Sequence, residues 1–277
     1  MRLLLTGSRG QLGLALRTAA PLLGLDCVGY DLPELDITDA AAVREAVLAV
    51  RPDAIVNCAA FTAVDAAEAD EARATAVNGT AVAKLADAAD EAGAVLVQIS
   101  TDYVFDGRPG RPWREDDPTG PLSAYGRSKL AGEVAAARAR QHLIVRTAWL
   151  FGQGANFVEA IRKQVAEGKR ELAVVADQLG SPTYAVDLTA AILGLLAGGA
   201  RGIVHAVNGG ATTWQGFAAE IVRQLGADVV IRPITTTELG RPAPRPANSV
   251  LDTTRLRELL GRQLPPWQNA LGRYLGT

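Results

Sequence analysis

Five short apolar runs, separated by helix-length amphipathic segments, constrain this chain more than any other feature. Leu3 to Leu5, Cys27 to Tyr30, Ala54 to Cys58, Val95 to Ser100 and Leu143 to Thr147 are each bounded by polar residues or glycine. Apolar runs without polar alternation are what strands buried on both faces require. Between them, residues near 11–20, 40–50, 72–92 and 124–140 are rich in Ala, Leu, Glu and Arg, which predicts amphipathic helices. Alternation of this kind predicts an α/β fold, a Rossmann-like doubly wound parallel sheet with helices on both faces. Past residue 148 the alternation loosens. Helices are predicted near 155–168, 185–197 and 213–225 and strands near 172–176, 203–207 and 228–231, and Arg241-Pro242-Ala243-Pro244-Arg245-Pro246 interrupts regular structure.

Composition narrows the partners. With 277 residues and 48% apolar content the chain can bury one large core or two unequal ones. Its 28 basic and 30 acidic residues nearly cancel, which argues against the sequence-independent electrostatic grip of a nucleic-acid binder. Small molecules or other proteins are the expected partners. Cys27 and Cys58 have no CxxC spacing and lie in apolar stretches, as free buried thiols in a reducing compartment do. No run approaches the ~20 apolar residues that span a bilayer, and Met1-Arg2-Leu3-Leu4-Leu5 stops at a Gly-rich turn, so it reads as a first strand rather than a signal peptide. A soluble cytoplasmic protein is expected, without membrane partners. His142 and His205, at the starts of apolar runs far apart in sequence, read as structural, and no ligand spacing suggests a metal site.

Directly after the first strand comes Gly7-Ser8-Arg9-Gly10-Gln11-Leu12-Gly13, then a helix. Glycines at this spacing allow a tight turn, close approach of a pyrophosphate and packing of helix on strand, and the helix N-terminus offers unpaired N–H groups. Asp31, eighteen residues past Gly13 at the end of the second strand, is placed for adenosine ribose hydroxyls, which favours NADH. Arg9 could instead pair with the 2′-phosphate of NADPH. Both cofactors stay open. Residues 1–148 are therefore expected to form a dinucleotide-binding domain, with elements from about 172–197 returning to it. Residues 149–171 and 198–277 are expected to form a smaller C-terminal substrate-binding lobe.

The fourth run leads into Thr101-Asp102-Tyr103, and some two dozen residues later Tyr125-Gly126-Arg127-Ser128-Lys129 opens a helix. Residues four apart share a helix face. A tyrosine with an ordinary pKa of about 10 needs help to act as acid and base near neutrality, and an ammonium one turn away at Lys129 would stabilise its phenolate. Lys129 could also hold the nicotinamide ribose, and Thr101 could bond the substrate oxygen. Thr101, Tyr125 and Lys129 are the catalytic candidates. No G-x-S-x-G elbow suggests serine hydrolysis.

Thr6 to Gly13, Asn57 to Asp65, Ser100 to Phe105, Tyr125 to Glu133 and Arg146-Thr147-Ala148-Trp149 together resemble the extended short-chain dehydrogenases. Among these, the dTDP-4-dehydrorhamnose reductase family is most similar. Asp177-Gln178-Leu179-Gly180-Ser181-Pro182-Thr183 and Arg245-Pro246-Ala247-Asn248-Ser249 extend the likeness almost end to end. The resemblance implies hydride transfer from NADPH or NADH to the C4 ketone of dTDP-4-dehydro-L-rhamnose. By it, Gly10, Gln11, Leu12, Asp31, Asp36, Ile37, Ala60, Phe61 and Thr62 would line the cofactor, and Tyr125 and Lys129 would touch it. Thr101, Asp102 and Trp149 would contact the deoxyhexose of a nucleotide-sugar substrate. Trp149 could stack on a sugar face or belong to a core. Arg245, in the Pro-rich stretch, could face the substrate diphosphate or be a surface loop residue.

Two departures stand out. Leu14-Ala15-Leu16 occupies a stretch where members often carry a carboxylate that helps hold magnesium between subunits, which argues against a magnesium-linked dimer and leaves a homodimer open. Phe61 stands where a histidine is frequent. Two alternatives accompany the leading reading: a 4-ketoreductase for another nucleotide-activated deoxysugar, and a non-catalytic regulatory subunit resembling the methionine adenosyltransferase beta subunit. Loss of the proton-transfer set would mark the latter, and here the set is complete.

Overall fold

The computed structural model describes residues 1–108 and 110–277. Its first half alternates as predicted: β1 (Arg2–Thr6), α1 (Gln11–Leu22), β2 (Asp26–Tyr30), α2 (Ala40–Val50) and β3 (Ala54–Asn57). The helix expected at 72–92 is broken. After α3 (Val64–Ala69) come α4 (Glu71–Thr75), a π-helical turn at Ala76–Thr80 and α5 (Ala81–Ala92). Single π turns widen a helix to present a particular residue, and this one buries Asn78. Then follow β4 (Val95–Thr101), a 3-10 turn at Asp102–Val104, α6 (Ala124–Ala136) and β5 (His142–Thr147).

The second half contains β6 (Leu150–Phe151), α7 (Phe157–Ala166), β7 (Glu171–Val175), β8 (Leu179–Gly180), β9 (Thr183–Tyr184), α8 (Ala185–Ala197), β10 (Gly202–His205) and β11 (Thr212–Thr213). It ends with α9 (Trp214–Gln224), β12 (Val230–Ile234), α10 (Thr236–Leu239), α11 (Thr254–Leu260) and α12 (Trp267–Leu275). Among the described residues, no helix is long and apolar enough to cross a membrane.

Six strands form a parallel sheet in the order β10-β5-β4-β3-β1-β2. Successive residues of a strand face opposite sides, so Leu3 and Leu5 pack with Leu16 of α1 and Leu188 and Ile192 of α8. Leu4 instead packs with Val43 and Val47 of α2 and Leu85 of α5. All three leucines are fully buried, each removal from water contributing roughly 1.5–3 kcal/mol before chain entropy is subtracted. β7 and β12 pair in parallel and share a second core with Phe151, Ile161, Phe217 and Leu271.

The boundaries between the two layers differ from those expected. β10, expected in the smaller lobe, is the sixth strand of the main sheet, paired with β5. The stretch at 172–176, expected to return to the sheet, is β7 and pairs with β12. Of the predicted returning segment, α8 does pack on the sheet. An isolated four- or five-residue apolar run carries no mark of which sheet it joins.

Candidate active site

The strand order reverses between β1 and β3, and at such a switch point the connections leave the sheet in opposite directions and open a crevice at the carboxyl ends. A cleft of about 760 Å³ lies there. Its floor is the glycine turn. Gly7 has φ +63°, and a Cβ on it would come within 2.5 Å of the Ala59 backbone nitrogen. A Cβ on Gly13 would lie 2.4 Å from the Gly7 carbonyl oxygen. Only glycine lets β1, the loop after β3 and α1 meet this closely. Gly10 is the N-cap of α1 and supplies no side chain to cap it. The unpaired N–H groups of the first helical turn are therefore available to an anion such as a pyrophosphate.

Gly7, Arg9, Gly10, Gln11, Leu12, Gly13, Asp31, Asp36 and Ile37 all line the cleft, as do Ala60 and Thr62. Asp31 accepts from the Arg9 backbone N–H at 2.8 Å and from the Leu32 N–H at 2.9 Å. The Arg9 guanidinium donates to the Leu32 carbonyl at 2.7 Å and pairs with Glu34. The carboxylate and the guanidinium thus flank the same end of the crevice. Asp36 is held below its ordinary pKa by the Thr38 backbone N–H and hydroxyl.

Phe61 is the exception among the proposed cofactor residues: it does not line the cleft. Its N–H donates to Asn78 Oδ1 at 2.8 Å and its carbonyl accepts from Asn78 Nδ2 at 3.0 Å. Its ring packs behind Tyr125 with Ala67, Ala74 and Ala124, beneath the Arg73 guanidinium. An apolar ring in this loop turns to the protein interior, where a polar imidazole would have less to gain. Asn78 also donates to the Ser128 hydroxyl at 2.9 Å, which donates to the Tyr125 carbonyl at 2.8 Å. The π turn therefore joins the loop after β3 to α6. Sequence reading assigned Asn78 no role, because its partners lie 17 and 50 residues away.

On the opposite wall, Ser123 caps α6 by accepting from the Gly126 N–H at 3.1 Å. The Ala124 N–H donates to Glu68 at 2.7 Å. These bonds fix the first turn, which carries Tyr125. A Cβ on Gly126 would lie 2.4 Å from the Tyr103 carbonyl, so α6 sits directly against the 3-10 turn, and the Tyr103 and Tyr125 rings meet edge to face at 5.5 Å. Lys129, 4% exposed, donates from Nζ to the Ile99 carbonyl at 2.6 Å. Burial lowers its pKa to about 8, with Glu133 opposing.

The phenol of Tyr125 departs from expectation. Burial pushes its pKa up, the Asp102 carboxylate adds to the rise, and the Thr101 hydroxyl alone opposes. The Lys129 ammonium, engaged with Ile99, does not bring it down. Thr101 Oγ1 donates to Asp102 Oδ1 at 2.9 Å. Burial raises the Asp102 carboxyl to about 6. Beneath Lys129 lies a buried ion pair that sequence reading did not anticipate. Glu133 accepts from Arg146 at 2.7 and 2.8 Å and from the Ser100 hydroxyl at 2.5 Å.

Trp149, Trp214 and Tyr103 also line the cleft. Trp149 has φ +45°, a conformation costing a bulky L-residue about 1–2 kcal/mol, and stacks on Trp214 with ring centroids 3.6 Å apart. Arg245 is not among the residues that line the cleft; its guanidinium donates to both oxygens of Asp65 at 3.0 Å. Its Nη1 also donates to the Ala243 carbonyl at 2.9 Å. Among the described residues, five buried side-chain polar atoms lack a hydrogen-bond partner, and Gln11 Oε1, Asp102 Oδ2 and Thr147 Oγ1 belong to cleft-lining residues. Buried polar atoms left unpaired are costly, so these three mark places where the cleft wall is not optimised for stability.

The whole chain, residues 1–277, matches the family described as the RmlD substrate binding domain. It is 48% identical to a dTDP-4-dehydrorhamnose reductase of Streptomyces griseus, over 98% of this chain and 91% of that protein. It is 44% identical to a probable dTDP-4,6-dihydroxy-2-methyloxan-3-one 4-ketoreductase of Streptomyces antibioticus, over 98% of this chain and 93% of the other. A crystal structure of the dTDP-4-dehydrorhamnose reductase of Bacillus anthracis in complex with NADP superposes with a TM-score of 0.95, at 38% identity, covering 99% of this chain and 98% of that one.

Proposed function

The chain belongs to the RmlD substrate binding domain family, within the extended short-chain dehydrogenases/reductases, and on that premise we propose that Tyr125 donates a proton in the reduction of the C4 ketone of dTDP-4-dehydro-L-rhamnose. The product is dTDP-L-rhamnose. The enzyme is an NAD(P)H-dependent oxidoreductase. The observation that carries the reading is the convergence of Thr101, Tyr125 and Lys129 on a cleft whose floor is the glycine turn and the uncapped N-terminus of α1.

A bound reduced nicotinamide supplies the hydride. The uncapped first turn of α1 would hold the dinucleotide's pyrophosphate, Asp31 and Arg9 would meet its adenosine ribose, and Lys129 would meet the nicotinamide ribose. Burial keeps the Tyr125 phenol protonated at neutral pH, which is the state a donor needs before charge develops on the carbonyl oxygen. Thr101 positions that oxygen by turning its hydroxyl from Asp102. Of the three Lys129 donors one is held by Ile99, and the others would serve the nicotinamide ribose hydroxyls. Trp149 presents its ring to the sugar. Arg245, paired with Asp65, ties the Pro-rich stretch to α3.

Purified protein given dTDP-4-dehydro-L-rhamnose and either NADPH or NADH, with cofactor oxidation followed by absorbance, tests the reading. Oxidation that requires the sugar supports it, and none with either cofactor overturns it. A second reading, reduction of the C4 ketone of a different dTDP-linked deoxysugar, draws on the 44% identity to the Streptomyces antibioticus protein. Faster turnover of such a sugar in the same assay would favour it.

A further inference from the structure

The segment Asp177-Gln178-Leu179-Gly180-Ser181-Pro182-Thr183 supplies no group to the proton-transfer set, yet it packs against Trp149 and Trp214, which line the cleft. β8 and β11 pair antiparallel, Leu179 opposite Thr213 and Gly180 opposite Thr212. This pairing brings Trp214, the first residue of α9, opposite Gln178. The two indoles lie almost parallel, 9° apart, and both line the cleft. A Cβ on Gly180 would come within 2.5 Å of the Trp149 ring, so a side chain there would push the ring out of place.

Gln178 is buried and bonded at both ends. Its Oε1 accepts from Trp214 Nε1 at 3.2 Å and its Nε2 donates to the Thr236 hydroxyl at 2.9 Å. Asp177 fixes Thr236 in turn, accepting from its N–H at 2.9 Å and its hydroxyl at 2.7 Å. The Thr183 N–H donates to the Trp149 carbonyl at 3.1 Å, which holds the positive-φ backbone of that residue.

We propose that Gln178 and Gly180 are positioning residues for the sugar: they lock Trp214 flat against Trp149, so that the paired indoles offer a single fixed shelf to the deoxyhexose ring. The proposal rests on the reading that a nucleotide-linked deoxyhexose fills this side of the cleft. A lone indole can turn about its side-chain torsions. An indole pinned at Nε1 and stacked on a second one is already ordered when the sugar arrives, which lowers the entropy cost of binding. The flat apolar face suits the C–H groups of a sugar ring and makes no demand on the nucleotide.

The test uses the full-length enzyme saturated with NADPH and compares Gln178→Leu, Trp214→Phe and the double variant. Losing one buried hydrogen bond is expected to raise the KM for the nucleotide sugar about fivefold to tenfold, more than it lowers kcat, with the KM for NADPH within about twofold. Affinity for dTDP alone, read by tryptophan quenching, stays near parental. The double variant loses no more than the worse single one, because both break the same contact. Parental sugar KM in a folded Gln178→Leu enzyme, equal losses for dTDP and nucleotide sugar, or additive losses would each overturn the proposal. Should Gln178→Leu fail to fold, Trp214→Phe carries the test, since it removes the N–H while keeping an aromatic ring. Should the parent enzyme not turn over this sugar, the reaction reading fails separately, and quenching by dTDP-L-rhamnose against dTDP still reports on the shelf.

Discussion

The Lys129 ammonium donates to the Ile99 carbonyl at 2.6 Å, so the residue one turn beyond Tyr125 is anchored to the strand that ends in Thr101. Lys129→Met leaves that carbonyl without its donor and removes the cation from the cleft. Turnover should fall by roughly 10²-fold or more, and the KM for NADPH should rise. Because burial brings Lys129 to about 8, its charge is lost as pH rises through that value. The pH profile of kcat/KM should therefore descend above about pH 8, and a flat profile to pH 10 would contradict the role.

Tyr125→Phe keeps the ring that packs against Phe61 and Tyr103 and removes only the hydroxyl. NADPH affinity, measured by fluorescence titration, should stay near parental while turnover drops by roughly 10²–10⁴-fold. Parental turnover would exclude Tyr125 as the donor.

Asp102 offers a stability test. Its folded carboxyl titrates near 6 against an ordinary 3.8, so between those values the folded state holds more protons than the unfolded one. The stability linked to this group is present in full below about pH 4 and is lost as pH rises through about 6. Asp102→Asn should remove that dependence and unfold later in urea at pH 7, by at most about 3 kcal/mol, while lowering activity. An unchanged pH dependence of the midpoint would refute the assignment.

At the adenosine end, Asp31→Ala should weaken NADH more than NADPH, because only NADH offers a 2′-hydroxyl to the carboxylate. Arg9→Ala should do the reverse. Dissociation constants for the two cofactors, measured directly, decide between these roles, and equal losses in both variants would count against them.

The buried Glu133 and Arg146 pair should be costly to break. Arg146→Met strands a carboxylate that is 4% exposed, and the expected loss is about 3–5 kcal/mol in chemical unfolding. A loss below about 1 kcal/mol would imply that Ser100 alone satisfies Glu133.

Much of the sheet was legible because Leu3 to Leu5 and Leu143 to Val145 are buried on both faces, which leaves continuous apolar runs. The glycine turn was legible for a related reason: Gly7 and Gly13 meet backbone where a Cβ would sit, and few other residue patterns permit that. What escaped depends on contacts distant in sequence. Trp214 is 65 residues from the ring it stacks on, Asp65 is 180 residues from the Arg245 it holds, and Arg146 is a charge directly after the apolar run Leu143 to Val145. Phe61 illustrates the opposite error. Its neighbours Ala60 and Thr62 line the cleft, but the backbone bonds to Asn78 leave the ring pointing the other way. No local pattern reveals which side a loop residue faces.

The sixth strand carries a consequence for synthesis and for truncation. β5 gains its outer neighbour only when β10, some sixty residues later, has been made, and α8 must also be present to cover the apolar face of β1. Until residue 205 has left the ribosome, the nascent sheet has an open edge at β5 and a bare flank. A fragment ending near 148 would expose both, which makes it a candidate for edge-to-edge aggregation rather than an autonomous cofactor-binding module.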